Sequence, residues 1–296
     1  MDIRILRYFL AVAREENITK AANSLHISQP SLSVQLMELE QELGKTLLIR
    51  GKRKITLTEE GVLLRKRAEE IISLVEKTET EISTNKEIIS GDISIGGGET
   101  EAMSVAVQTA MSLAKEYPNI HYHLFCGDAE AIMEKLDTGL LDFGIIIEPV
   151  DLSKYERLHL ATADTWGLLM RKDCPLATKS IIEPKDLETI PIIAPKRIGL
   201  QREFSSWMKR DLQNLNIVAT YNLIYNASLL VKEGFGYAIA LDKLIYTGED
   251  SELCFRPFSP ILKGNLSIVW KKYQVFSKTS KKFIESLTES ISKNNP

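Results

Sequence analysis

The sequence predicts three parts in series: a helix-turn-helix head with a basic wing, one long helix, and an α/β body of two similar subdomains. Three observations carry this reading. Apolar stripes at helical spacing occur three times before Gly44 and then give way to a short cationic hairpin. A proline-free stretch from Thr58 to about Ile88 holds a heptad-spaced seam. From Ile93 onward, short β-prone runs alternate with helical ones.

In the head, Ile3, Leu6, Phe9, Leu10 and Ala13 put one apolar face on a helix over residues 2–16. Asn17 can cap a second helix, with Ile18, Ala21, Ala22 and Leu25 as its buried stripe; the two alanines permit close packing. After the break His26-Ile27-Ser28, Ser28 is a good N-cap, and Pro30 sits in the first turn, where its missing donor costs nothing. Leu32, Leu36, Leu39 and Leu43 form the core face of this third helix, and Gly44 ends it. The opposite face carries Pro30, Ser31, Val34, Met37 and Glu38. The first turn is small and polar, with Gln29, Ser31 and Ser33. Such an end can enter a major groove and hydrogen-bond base edges and phosphates.

Residues Leu47 to Leu57 form two β-prone runs around a turn containing Gly51, and Arg50, Lys52, Arg53 and Lys54 make it cationic. A charged hairpin beside a helix-turn-helix reads as a wing that grips phosphates, although a solvated basic turn has the same composition. Residues 1–58 carry a net +3 within a chain of net −3, so the remainder carries −6, the asymmetry of a DNA-binding head on an acidic body. The candidate DNA contacts are Thr19, Lys20, Ser28, Gln29, Pro30, Ser31, Ser33, Val34, Arg50, Lys52, Arg53 and Lys54.

Leu64, Ala68, Ile71, Val75, Thr78 and Ile82 are spaced 4-3-4-3-4, a heptad seam. Glu59 and Glu60 suit the helix start. At 1.5 Å per residue the helix would be about 45 Å long. A single apolar stripe needs cover, either from the same chain or from a second copy.

In the body, strands are expected at Ile93–Ile95, Ile120–Cys126, Asp142–Ile147, Trp166–Arg171, Ile190–Ala194, Ile217–Leu223, Tyr237–Leu241 and Leu266–Trp270. Helices are expected at Thr100–Tyr117, Ala129–Leu136, Arg202–Leu212, Ala227–Lys232 and Ser277–Ile291. Strand-helix-strand alternation implies parallel sheets. A cleft between two such lobes is a ligand site, because helix N-termini and strand ends point into it. Gly98, Glu99, Thr100, Glu101 and Glu148 are the candidates in one lobe; Lys196, Arg197, Ile198, Gln201 and Asn226 are those in the other.

A chain of 296 residues exceeds one core, and 44% hydrophobic with 26% charged residues is ordinary for a soluble globular protein. Cys126, Cys174 and Cys254 form no Cys-x-x-Cys pair, which argues against structural zinc or a secreted disulfide framework and for a reducing cytoplasm. Arg4, Arg7 and Arg14 interrupt any signal-peptide core, and no run of eighteen apolar residues occurs, so no membrane association is expected. No nucleophile elbow, zinc-protease motif or P-loop is present, and Glu101 stands where a dinucleotide fingerprint needs its third glycine. His121 and His123 share a strand face without a third ligand. The chain is therefore not expected to be an enzyme, and no cofactor or metal is expected. The alternative is a cytosolic small-molecule-binding protein or an enzyme whose α/β body does the work, which leaves residues 1–58 unexplained.

The head resembles the LysR-type transcriptional regulators. The resemblance rests on Ala21-Ala22, Leu25, Ser28 to Ser33, Gln35, Leu39-Glu40, Leu43-Gly44, Leu47-Leu48, Arg50 and Leu57-Thr58-Glu59-Glu60-Gly61, and it continues more weakly to the C-terminus. Where many members carry Arg, this chain has Val34, which can pack on a thymine methyl but cannot bind guanine or phosphate. The resemblance implies a winged helix-turn-helix domain over residues 1–58, a dimerising linker helix over 59–89, and a periplasmic-binding-protein-like effector domain over 90–296. Its first subdomain would be 90–162 with 266–296 and its second 163–265, the chain crossing near Ala161–Asp164 and Asn265. It also implies double-stranded DNA with a two-fold operator and a small-molecule effector as partners, a homodimer through the linker helix, and a homotetramer through the body. RNA polymerase is a further candidate partner.

Overall fold

Asp2, Asn17 and Ser28 each precede an apolar stripe, and each caps a helix. In the computed structural model, which describes residues 1–51, 54–83, 89–160, 163–196, 198–209 and 214–294, the chain divides into two compact units, 1–85 and 86–296. In the first unit, α1 (Ile3–Glu15), α2 (Ile18–Ser24) and α3 (Gln29–Leu43) start where these three side chains accept backbone N–H groups of Arg4, Lys20 and Ser31. Each such cap contributes roughly 1 kcal/mol. Gly44 closes α3 in the left-handed region at φ 64°.

The three helices bury Phe9, Val12, Ala21, Ala22, Leu32, Leu36 and Leu39 in one core. Leu43, predicted on the core face, is instead 41% exposed. It is the last residue of α3, and the chain then turns so that Leu47 and Leu48 fill the core in its place. Glu40 fixes that turn by accepting from the N–H groups of Leu47 (2.7 Å) and Leu48 (3.0 Å). β1 (Leu48–Arg50) and β2 (Ile55–Leu57) then pair as an antiparallel hairpin.

α4 (Glu59–Ser83) begins at Thr58, whose Oγ1 accepts from Gly61 N (3.0 Å) while donating to Thr46 O (2.8 Å). A Cβ on Gly61 would stand 2.2 Å from Leu47 O, so only glycine lets the helix start this close to the hairpin. Ala68 is fully buried, α4 packs along α1, and Arg7 reaches Glu76 at 3.2 Å.

The second unit contains two sheets. The first has the order β4 (Ile120–Cys126), β3 (Gly91–Gly97), β5 (Phe143–Ile147), β13 (Leu266–Lys271), β6 (Tyr155–His159). The second has the order β11 (Leu253–Pro257), β7 (Asp164–Arg171), β10 (Tyr237–Leu241), β8 (Ile192–Pro195), β9 (Ile217–Tyr221), with β12 (Lys263–Gly264) also on β7. β3 is parallel to β4 and β5, and β8 to β9 and β10. The expected wholly parallel sheets are nevertheless mixed. β13 runs antiparallel to β5 and β6, and β7 antiparallel to β10 and β11. β7 and β13 are the first strands after each passage of the chain between the sheets, between β6 and β7 and at Asn265, and both enter against the direction of their neighbours.

α5 (Met103–Glu116), α6 (Ala129–Asp137) and α9 (Lys278–Asn294) accompany the first sheet, where Phe143 and Phe283 meet over Ile93 and Ile95. α7 (Ile198–Met208) and α8 (Ile224–Lys232) accompany the second, packed on Trp166, Leu168, Ile192 and Phe258 or on Leu169, Ile193 and Ala240. α7 starts four residues earlier than the sequence suggests and ends at Met208, where Lys209 adopts φ 55°.

Candidate functional sites in the head and the body

In the head, the core leucines of α3 turn its opposite face outward. Ser28, Gln29, Pro30 and Ser31 are exposed, Ser33 is half-buried, and Thr19 and Lys20 are exposed at the start of α2. Gln29 Nε2 donates to Ser33 Oγ at 2.8 Å, which pre-orders a polar pair at the helix start. Val34 is 46% exposed on the outward face of α3. In the hairpin Arg50 is exposed, and Lys54 lies 3.3 Å from Glu16. Lys52 and Arg53 lie outside the described residues. A small polar helix start and a cationic hairpin carried on one domain offer groups for base edges and for phosphates.

The heptad residues of α4 divide into two sets. Leu64 and Ala68 are taken up by packing within the head. Ile71 and Val75 are half-buried, Thr78 is exposed with its hydroxyl on Leu74 O (2.7 Å), and Ile82 is 80% exposed. Among the described residues, the C-terminal half of the stripe is therefore half-buried to exposed, and its exposure is greatest at Ile82.

In the body, a cleft between the two sheets encloses about 320 Å³. Of the expected residues, Gly98, Glu99 and Lys196 line it. Glu99 Oε2 accepts from the backbone N–H of Ile224, the first residue of α8, and so bridges the two lobes. Thr100 is buried beneath the wall and donates to Asp164 Oδ2 at 2.5 Å. Burial pushes the Asp164 carboxyl above the usual carboxylate range. Glu101 and Asn226 are exposed and outside the lining. Glu148 stands elsewhere, at a shallower cavity with Arg202 and Asn265, holding Ser267 Oγ (2.6 Å) and facing Arg157 (3.6 Å). Arg197 and the side chains of Ile198 and Gln201 lie outside the described residues.

The sequence reading missed most of the wall: Gly127, Asp128 and Glu130 after β4, Ile145 to Ile147 on β5, Trp166, and Tyr221, Asn222 and Ile224 at the start of α8. Asp128 carried a signal, since it caps α6 by accepting from Ala131 N (3.0 Å), and a helix start after a strand is where ligands collect. The isoleucines carried none, because core and cleft-wall residues look alike. Trp166 Nε1 is buried and has no hydrogen-bond partner among the described residues, a donor that a ligand or water can satisfy.

A winged helix-turn-helix unit and a two-lobed α/β unit with a cleft define the class of a DNA-binding regulator with a ligand-binding body. Family comparison agrees with both halves. Residues 3–62 match the bacterial regulatory helix-turn-helix protein, lysR family, and residues 87–292 match the LysR substrate binding domain. The chain belongs to the LysR family of DNA-binding transcriptional regulators. It is similar to the HTH-type transcriptional regulator BudR of Raoultella terrigena, 27% identical over 293 residues, covering 96% of this chain and 99% of that one. It is 30% identical over 227 residues to the HTH-type transcriptional regulator IlvY of Escherichia coli strain K12, covering 74% and 75%. Full-length CbnR, solved in complex with its target DNA, shares the fold with a TM-score of 0.77 at 20% identity, over 98% of this chain and 100% of that one.

Proposed function

We propose that the chain binds a two-fold operator as an oligomer and changes its regulation of transcription when a small molecule occupies the inter-lobe cleft. The carrying observation is the cleft itself. Among the described residues its wall combines apolar side chains with several polar groups, the composition of a small-molecule site, and both lobes contribute to it. A ligand touching both lobes gains affinity for one lobe arrangement over another, which is what a switch requires. The partly exposed apolar stretch of α4, ending in Ile82, supports dimerisation through that helix, and a dimer presents two heads to two half-sites. The tetramer and contact with RNA polymerase rest on family likeness.

We place the chain in the cytoplasm and assign it no catalytic reaction, because the relatives it resembles are named as transcriptional regulators. Among the described residues no helix is long and apolar enough to cross a membrane. A stand-alone binding protein or enzyme would have no use for the head. A thermal-shift screen of metabolites, followed by footprinting beside the chain's own gene with and without any hit, tests the reading. The expected result is two protected half-sites whose pattern changes with the hit. Protection that is indifferent to every cleft ligand would overturn the switch.

A further inference from the structure

α8 lacks a cap of its own. Leu223 at its N-cap position has no accepting side chain, and the first turn holds no acid. Free N–H groups there carry about half a positive charge and form a ready anion seat. Glu99 fills that seat from the opposite lobe. Its loop is anchored one residue later, where Thr100 donates to the buried Asp164 and accepts from Ala102 N (3.1 Å). The backbone beneath Glu99 is thereby held in place, which keeps its side chain tethered beside the seat.

We propose that Glu99 is a built-in occupant of the anion seat on α8, and that the cleft takes an apolar ligand bearing a protonated amine rather than a carboxylate. The inference rests on the cleft being the effector site. A free carboxylate would compete against one tethered at an effective concentration on the order of millimolar or more. Were both to share the site, two like charges would lie side by side in a partly dry cavity. Among the described residues lining the cleft, Glu99, Asp128 and Glu130 outnumber the one cation, Lys196. Asp128 and Glu130 stand at the start of α6, whose N–H groups offset part of their charge, which leaves Glu99 as the acid that faces the cleft from the α8 seat. An ammonium can pair with the Glu99 carboxylate, while Ile147 and Leu241 receive its apolar part. The buried Trp166 Nε1 is neutral and needs only an acceptor such as a hydroxyl, so it does not call for a carboxylate.

The test uses matched probes on the full-length chain: 2-phenylethylamine, 2-phenylethanol and 3-phenylpropionate, with the hexyl analogues of each, measured by calorimetry. The wild type should bind the amines at least about tenfold more tightly than the carboxylates. Glu99→Gln keeps an oxygen for Ile224 N; it should weaken the amines about tenfold, leave the alcohols unchanged and melt near the wild type. Glu99→Ala vacates the seat, and the carboxylates should then gain about tenfold. Carboxylates that bind the wild type as well as the amines do, or that gain nothing in Glu99→Ala, would overturn the assignment of Glu99 while leaving the cleft as the effector site. No binding of any probe to any of the three proteins would overturn this inference, while the cleft reading would still stand or fall by the footprinting test.

Discussion

Replacing Val34 by Ser separates base reading from folding. In the structure Val34 is 46% exposed on the face of α3 opposite Leu32, Leu36 and Leu39. Ser and Val have similar helix propensities, so the substitution should change stability by less than about 0.5 kcal/mol. Against a thymine methyl, by contrast, the substitution would remove an apolar interaction of about 1 kcal/mol, roughly fivefold in affinity. Fluorescence anisotropy on an operator series, each thymine in turn replaced by uracil, reads this directly because only a methyl is removed. One position should lose about fivefold with the wild type and nothing with Val34→Ser, while non-specific binding stays equal. Equal wild-type affinity for every uracil operator would refute the interaction. Gln29, Ser31 and Ser33, with DNA shape, would then be the source of specificity.

The wing, the seam and the buried carboxylate give three more tests. Changing Arg50, Lys52, Arg53 and Lys54 to Ala should weaken binding to all duplexes and reduce the log–log salt slope by about 0.9 for each phosphate that is no longer neutralised; an unchanged slope would rule out the wing. Ile71→Glu and Ile82→Glu place a charge on the C-terminal half of the α4 stripe and should dissociate the proposed dimer in sedimentation, and the exposed Ile82 allows this without cost to the head. An intact oligomer in both would put the interface elsewhere. Asp164 is raised by burial first, with Asp242 and Glu101 adding to the rise and Thr100 and Lys243 opposing it. The folded chain therefore holds that proton more tightly than the unfolded chain, and the associated stability is present at low pH and lost as pH rises through the raised value. Asp164→Asn, which keeps an oxygen for Thr100, should raise Tm by about 2–4 °C at pH 8 and by less at pH 4; an equal shift at both would refute the burial argument.

The head was legible because its signals are local. Asn17, Ser28 and Gly44 mark helix ends within one turn of the residues they serve. The body was legible where strands are apolar runs and not where they are charged. β6 reads Tyr-Glu-Arg-Leu-His and carries no hydrophobic alternation, and β11 ends in Pro257, so both went unread. α8 begins three residues before its predicted start because its cap is Glu99, 125 positions away. α5 begins at Met103 rather than Thr100 because Thr100 is drawn aside to Asp164. Gly98, Glu99 and Lys196 could be picked out as polar groups at strand and helix ends. Glu148 met the same description, yet it turns to Ser267 and Arg157 and away from the cleft lining.

The salt dependence of duplex binding tests the central claim most directly. Full-length chain would be titrated between 50 and 200 mM salt against a duplex from beside its own gene and against a scrambled duplex of the same length, with the range set by the usual response of phosphate-gripping proteins. Both affinities should fall linearly on a log–log plot, and the native duplex should stay at least about a thousandfold tighter. Binding to neither duplex, or equal affinities for both at every salt concentration, would contradict a sequence-reading winged head.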